Sequence, residues 1–160
     1  GSPLKRKFLG FCILPTKKGI KIRPHAKAKQ RVKSKLKQLT KRNRGRSIQL
    51  ILKEIKQLMT GWINYYGIGE MKEFMRELNG WSKRRIRQYI WKQWKNPRTK
   101  RKNLIRLGID KAKRMNGQIQ EKVFGQSPKS YSSSIINRQR LVLQGYEDIS
   151  LKYQFVHSTY

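Results

Sequence analysis

Three carboxylates crowd one stretch of the chain: Glu70, Glu73 and Glu77. Carboxylates at such spacing can exchange a proton or hold a metal, and so can do acid–base chemistry. Lys72 and Arg76 sit among them, however, and opposite charges a turn apart on a helix pair with one another. Surface ion pairs are therefore expected here rather than catalysis. The other chemistry-bearing residues lack companions. Gly67-x-Gly69 has neither the third glycine nor the preceding strand of a dinucleotide site, and reads as a helix–helix turn. His25, His157 and Cys12 have no partner at metal-ligand spacing. Ser132-Ser133-Ser134 has no base beside it and reads as a loop and helix cap. No self-sufficient active site, no metal and no cofactor is expected in this chain.

What remains is electrostatic chemistry. The chain has 40 Lys and Arg against 8 Asp and Glu, a formal net charge of +32 in 160 residues. So much like charge opposes a compact state unless a polyanion screens it. Aromatic residues are interleaved with the basic ones (4 Trp, 7 Tyr and 5 Phe), whereas a disordered basic tail would lack them. The expected partner is nucleic acid. Residues 1–100 hold 29 of the basic residues and 4 of the acids, so the first part supplies most of this charge.

Two stretches concentrate it. Ten basic residues and no acid lie between Lys27 and Arg46. Lys27, Lys33, Lys37 and Lys41 project away from the apolar stripe of their helix, and Arg42, Arg44 and Arg46 follow in the connector. Arg23 precedes them. The second stretch reads Lys83-Arg84-Arg85-Ile86-Arg87, then Trp91-Lys92-Gln93-Trp94-Lys95, then Arg98-Thr99-Lys100-Arg101-Lys102. Arginine gives bidentate phosphate contacts and lysine a point charge. Trp94 is the candidate for stacking on an unpaired base. Trp62, Trp81 and Trp91 read as core anchors before base-stacking residues. These cations and Trp94 are the candidate nucleic-acid-binding residues.

The elements that must position them are mostly helices. Residues 8–14 form an apolar run, Lys17-Lys18-Gly19 a turn, and Ile20–Arg23 alternates with period two, which predicts a β-hairpin. Two strands alone are marginal, so the hairpin either packs on a helix or completes a sheet absent from this chain. Pro24 marks the start of a first helix with Ala28, Val32, Leu36 and Leu39 on one face, stopped at Asn43-Arg44-Gly45. Ser47 caps a second, whose face is Ile48, Ile51, Leu52, Ile55, Leu58, Met59, Trp62 and Ile63. A third begins near Glu70 with Met71, Phe74, Met75, Leu78, Ile86, Tyr89 and Ile90, kinked or split at Asn79-Gly80 and stopped at Asn96-Pro97. Their faces can close as a three-helix bundle. Beyond Pro97 we expect short helices over 102–107 and after Asp110, a connection across 117–134, a helix over 135–143 ended by Gly145, and a last one after Asp148. The fold class is mainly α, with a short N-terminal hairpin, the bundle, and a small helical C-terminal domain.

Cys12 is the only cysteine, so an intramolecular disulfide is excluded and a cytosolic setting is expected. No apolar run approaches the ~20 residues of a membrane span, and the apolar faces are committed to packing, so no membrane partner is expected. Gly1-Ser2 reads as a leftover of cloning.

The ordered set Phe8-Leu9-Gly10-Phe11, Ile22-Arg23-Pro24, Gly45-Arg46-Ser47, Gly61-Trp62-x-Asn64-Tyr65-Tyr66 and Trp91-Lys92-Gln93-Trp94-Lys95 with Arg98 resembles bacterial group II intron-encoded proteins, which are reverse transcriptases and intron maturases. The resemblance implies that residues 3–26 are the end of the palm, 27–97 the maturase-specific thumb (domain X), and 98–160, with Gly145-Tyr146 and Leu151-Lys152-Tyr153, a DNA-binding domain. It implies intron RNA, the RNA/DNA template–primer duplex and target DNA as partners, together with the fingers and palm of the parent protein. It also implies roles in RNA splicing and retrotransposition, in a cytoplasmic, nucleoid-associated ribonucleoprotein. The family's Tyr-x-Asp-Asp polymerase loop has no counterpart; Glu147-Asp148, the only adjacent acidic pair, stands in the wrong place. The chain alone should therefore not polymerise, and the Mg²⁺ of that reaction belongs to the missing polymerase part. No Cys/His zinc-nuclease module is present either. Two other classes fit the composition: a structural RNA-binding protein of the ribosomal kind, and a sequence-specific DNA-binding protein with a recognition helix near 135–143.

Overall fold

The computed structural model describes residues 9–16, 19–41, 43–106 and 138–160. Strands β1 (Phe11–Thr16) and β2 (Gly19–Pro24) pair antiparallel, with Ile13 opposite Ile22. Helices α1 (Ala26–Leu39), α2 (Ile48–Tyr66), α3 (Lys72–Gln93) and α4 (Pro97–Arg106) follow. Helices α5 (Arg138–Leu143) and α6 (Ile149–His157) complete the described part. The molecule is mainly α with a short hairpin, as its periodicities predict.

The hairpin rests on a helix. The Phe11 ring lies 5.8 Å from Tyr65 and 5.1 Å from Tyr66, at the C-terminal end of α2. Gly10, at φ 85°, brings its backbone against the Tyr66 hydroxyl, where a Cβ would stand 2.6 Å from the oxygen. Only glycine takes both that conformation and that approach. The first strand begins and ends later than the apolar run 8–14 suggests. Pro24 is still in the ladder, opposite Phe11, and the cap of α1 is His25, whose Nδ1 accepts from the Lys27 amide at 3.1 Å.

Amphipathicity builds the bundle. Val32 and Leu36 of α1, Ile51, Ile55 and Ile63 of α2, and Met75, Leu78 and Ile86 of α3 are buried together. Helix α2 starts where Ser47 accepts from the Leu50 amide at 3.3 Å. Helix α3 starts at Lys72 rather than Glu70, and it runs unbroken through Asn79-Gly80. Asn79 is buried there, donating to Asp148 at 2.8 Å and accepting from the Tyr146 hydroxyl at 2.6 Å. These tertiary bonds hold the weak helix former in the helix. Pro97 does not merely stop α3; it opens α4, where a missing N–H costs nothing. The expected cap at Asp110 and the connection 117–134 lie outside the described residues.

The core does not end with α3. Leu141, Tyr146, Ile149 and Tyr153 belong to the same buried cluster as the bundle. Asp148 caps α6 through the Ser150 and Leu151 amides at 3.1 and 3.3 Å. Tyr153 clasps the α2–α3 turn, receiving from the Met71 amide and donating to the Gly69 carbonyl, each at 3.1 Å. His157 Nδ1 lies 2.8 Å from the Gly67 carbonyl.

Candidate nucleic-acid interface

Six carboxylates are described, and each is met by the chain's own cations. Glu54 pairs with Arg44 at 2.9 Å and with Arg46. Glu70 pairs with Lys21 at 2.9 Å and Arg23 at 3.8 Å, and Glu77 with Lys33 at 3.1 Å. Glu73 pairs with Arg76 at 3.3 Å. Glu147 meets Lys152 at 3.3 Å and Lys56 at 3.8 Å, and Asp148 meets Lys83 at 2.9 Å. The trio Glu70, Glu73 and Glu77 thus forms surface ion pairs, two of them across elements rather than along α3. Glu70 is held below its ordinary pKa by the hydrogen bond from Lys21, against a smaller desolvation effect.

The sequence-predicted cations divide accordingly. Several serve the fold. Lys33 turns toward α3, its Nζ 5.7 Å from the Trp81 ring. Arg44 also donates to the Leu39 carbonyl at 3.3 Å, so the connector after α1 is tied down. Lys83 is partly buried beside Asp148 and lies 5.8 Å from the Tyr146 ring. Arg85 stacks 5.2 Å from the Trp81 ring and reaches the end of α1, donating to Thr40 and to the Lys37 carbonyl. Arg87 is half-buried, and that desolvation lowers its pKa, against an opposing effect of Tyr146.

Others face solvent. Lys27, Lys37 and Lys41 on or just after α1, Arg84 and Lys92 on α3, Lys95, and Arg98 and Lys102 on α4 are exposed. Among the described residues none of these has a carboxylate at ion-pair distance. Arg23 is exposed beside Glu70. Trp94 is half-buried, 6.2 Å from the Trp91 ring, and lines an open groove with Ile48, Ile90, Leu143, Asn103 and Arg106. Trp62 and Trp81 pack against the core and Trp91 is buried. Arg42 lies outside the described residues, and Lys100 and Arg101 are placed on α4 by their backbone only.

On α1, two exposed cations stand outside the set that the sequence points to. Arg31 and Lys35 are exposed on α1 and continue Lys27 at steps of four, one flank of the helix. That spacing was the signal available. Lys27 and Arg31 line a cleft with Leu9, Gly10, Ala28 and Tyr66, where the hairpin base meets α1 and α2.

The arrangement offers an anion solvent-facing cations whose positions are fixed by packed helices, with the acids drawn inward or occupied. Among the described residues, no three His, Cys, Asp or Glu are grouped to hold a metal, and no helix is long and apolar enough to cross a membrane. A family model described as "Group II intron, maturase-specific domain" matches residues 29–108, which runs from within α1 through α4. No curated protein matches the chain.

Proposed function

On the premise that this chain belongs to the group II intron maturase-specific domain family, we propose that it is a nucleic-acid-binding module that holds structured intron RNA through phosphate contacts. The observation that supports this most is the division of charge: six described carboxylates are engaged with nine cations of the chain, while the outer surfaces of α1, the end of α3 and α4 carry cations alone. A solvated helix face that served only solubility would mix the signs. In this reading Lys27, Lys37, Lys41, Arg84, Lys92, Lys95, Arg98 and Lys102 neutralise phosphates, and the module positions RNA rather than joining nucleotides. Contact with the template–primer duplex and with target DNA, and a place in a cytoplasmic ribonucleoprotein beside the polymerase part with its Mg²⁺, extend the same proposal.

The test is filter binding of an intron RNA and an unrelated RNA of equal length across salt. With six to ten phosphates engaged, affinity falls by ~10³–10⁵ between 50 and 200 mM salt, and the intron RNA is retained at salt that releases the other. A flat salt dependence sinks the proposal. A steep one with equal retention of both RNAs leaves a structural RNA-binding protein instead.

A further inference from the structure

Helix α2 carries a glycine that its own fold does not use. Gly61 lies mid-helix, exposed, and a Cβ there would meet nothing within 4 Å. Glycine in a helix interior is unfavourable by comparison with alanine, so a position with no turn and no close neighbour has no internal reason to keep it. Gly61 stands seven residues after Glu54 and four before Tyr65, and these three share one flank of α2. Both companions reach toward the α1 side. Glu54 binds Arg44, which also holds the Leu39 carbonyl, and the Tyr65 hydroxyl donates to the Leu9 carbonyl at 3.0 Å. The bare backbone at Gly61 therefore flanks the groove between α1 and α2.

The other wall is cationic. Lys27, Arg31 and Lys35 follow one another at steps of four residues, about 6 Å of helix rise. A nucleic-acid strand rises 3.4 Å per nucleotide along its axis and steps sideways as it winds, which sets neighbouring phosphates about 6–7 Å apart. The two repeats match, one cation to one phosphate. Packed helices have axes about 8–10 Å apart, so the groove between them admits a single strand and not the body of a duplex. At the cleft end stands Tyr66, next to the exposed Tyr65 ring. Aromatic faces stack on bases that are unpaired.

We propose that the groove between α1 and α2 seats an unpaired RNA strand, its consecutive phosphates on Lys27, Arg31 and Lys35 and its backbone drawn close to α2 at Gly61. That the strand is RNA rests on the function proposed above. The groove, the spacing and the bare glycine stand apart from it.

The experiment measures binding of a 12-nucleotide single-stranded RNA and of the blunt duplex of the same sequence by fluorescence anisotropy across salt. The whole chain carries either Gly61→Ala or the triple change Lys27→Gln, Arg31→Gln, Lys35→Gln. Gly80→Ala is the glycine control, since Gly80 is exposed with nothing within 4 Å on α3 among Arg76 and Glu77. The charge control is Lys53→Gln, Lys72→Gln, Arg76→Gln. The groove triple lowers the single-strand salt slope by about 2, since each lost phosphate contact removes ~0.7, which is about a hundredfold in affinity at 0.1 M salt against a 1 M reference. Gly61→Ala raises the melting midpoint by about 2–4 °C, as Gly80→Ala does. Only Gly61→Ala also weakens the single strand, and the duplex loses less. Stability and affinity moving in opposite directions is an outcome that a merely structural glycine does not give. Groove variants that bind single-stranded RNA like their controls, or that lose the duplex equally, overturn the proposal and leave the module's general RNA binding standing. A wild-type chain that binds no RNA overturns both.

Discussion

Arg85 closes the C-terminus of α1 from across the bundle: its Nε donates to Oγ1 of Thr40 at 2.6 Å, and Thr40 in turn donates to the Leu36 carbonyl at 2.7 Å. Thr40 is 2 % exposed, so the last turn of a helix rich in lysine is sealed by a cation from α3. Charge-assisted bonds of this kind satisfy carbonyls that a helix end leaves open.

Neighbouring arginines should therefore behave differently. Arg85→Ala is expected to cost about 1–3 kcal/mol of stability, since it removes bonds from a charged donor to part-buried acceptors. Arg84→Ala, on an exposed position, is expected to stay within about 0.5 kcal/mol of wild type while weakening RNA binding. Chemical denaturation and filter binding on the two variants separate the roles. Equal midpoints would show that the α1 cap does not need Arg85.

Asp148 gives the fold an acid-sensitive point. Its burial raises the pKa, but the hydrogen bonds from Lys83, Asn79 and the Leu151 amide outweigh that and hold it below the ordinary value of 3.8. A carboxylate depressed in the folded state stabilises above its unfolded pKa, and that contribution is lost as pH falls through the folded value. Thermal melts at about pH 7 and about pH 2.5 should show a smaller acid-induced drop for Asp148→Asn than for wild type, from a lower starting point. Parallel curves would place the acid sensitivity elsewhere.

Gly67, at the end of α2, and Gly61, within it, make opposite predictions. A Cβ at Gly67 would stand 2.6 Å from the Ile63 carbonyl oxygen and 2.7 Å from Cγ1 of Val156 on α6. Overpacking of this kind costs about 1–3 kcal/mol. Gly67→Ala should lower the melting midpoint where Gly61→Ala raises it, and a rise in both would mean that α6 yields freely.

Ending the chain after residue 137 tests how far the bundle depends on its late helices. Leu141, Tyr146, Ile149 and Tyr153 are each no more than 3 % exposed. Losing even one large buried side chain costs about 2–5 kcal/mol, against the 5–15 kcal/mol that holds a typical domain. We expect the shortened chain to lose its cooperative transition in circular dichroism and calorimetry. A cooperative melt near the wild-type midpoint would show that α1–α3 stand by themselves.

Much of this architecture is legible in the sequence. The stripes of α1 and α2 are spaced at 3 and 4, and the stop signals after them are local, so short-range rules place both helices to within a few residues. Asn79-Gly80 misleads the same rules, because what keeps α3 intact there is Tyr146 and Asp148, far along the chain. The candidate interface is legible only as charge. Composition cannot tell Lys83, paired with Asp148 and partly buried, from Arg84, which faces solvent. The few described acids decide it, and each selects its cation in three dimensions. Arg31 and Lys35 stand at helical steps from Lys27, but only the packing shows which flank of α1 stays open.

The clasp of Tyr153 on Gly69 also orders events in time. The two residues are 84 positions apart. At a synthesis rate of ~5–20 residues per second, about 4–17 s pass between the emergence of the α2–α3 turn and that of the tyrosine which locks it. Throughout that interval the lysines of α1 are already outside the ribosome, while the core beneath them is still open. A polyanion that meets the nascent chain then meets charge before it meets a finished surface. By neutralising the mutual repulsion of those lysines, it would lower the cost of bringing the helices together, and so would act on this fold before any finished surface exists to bind it.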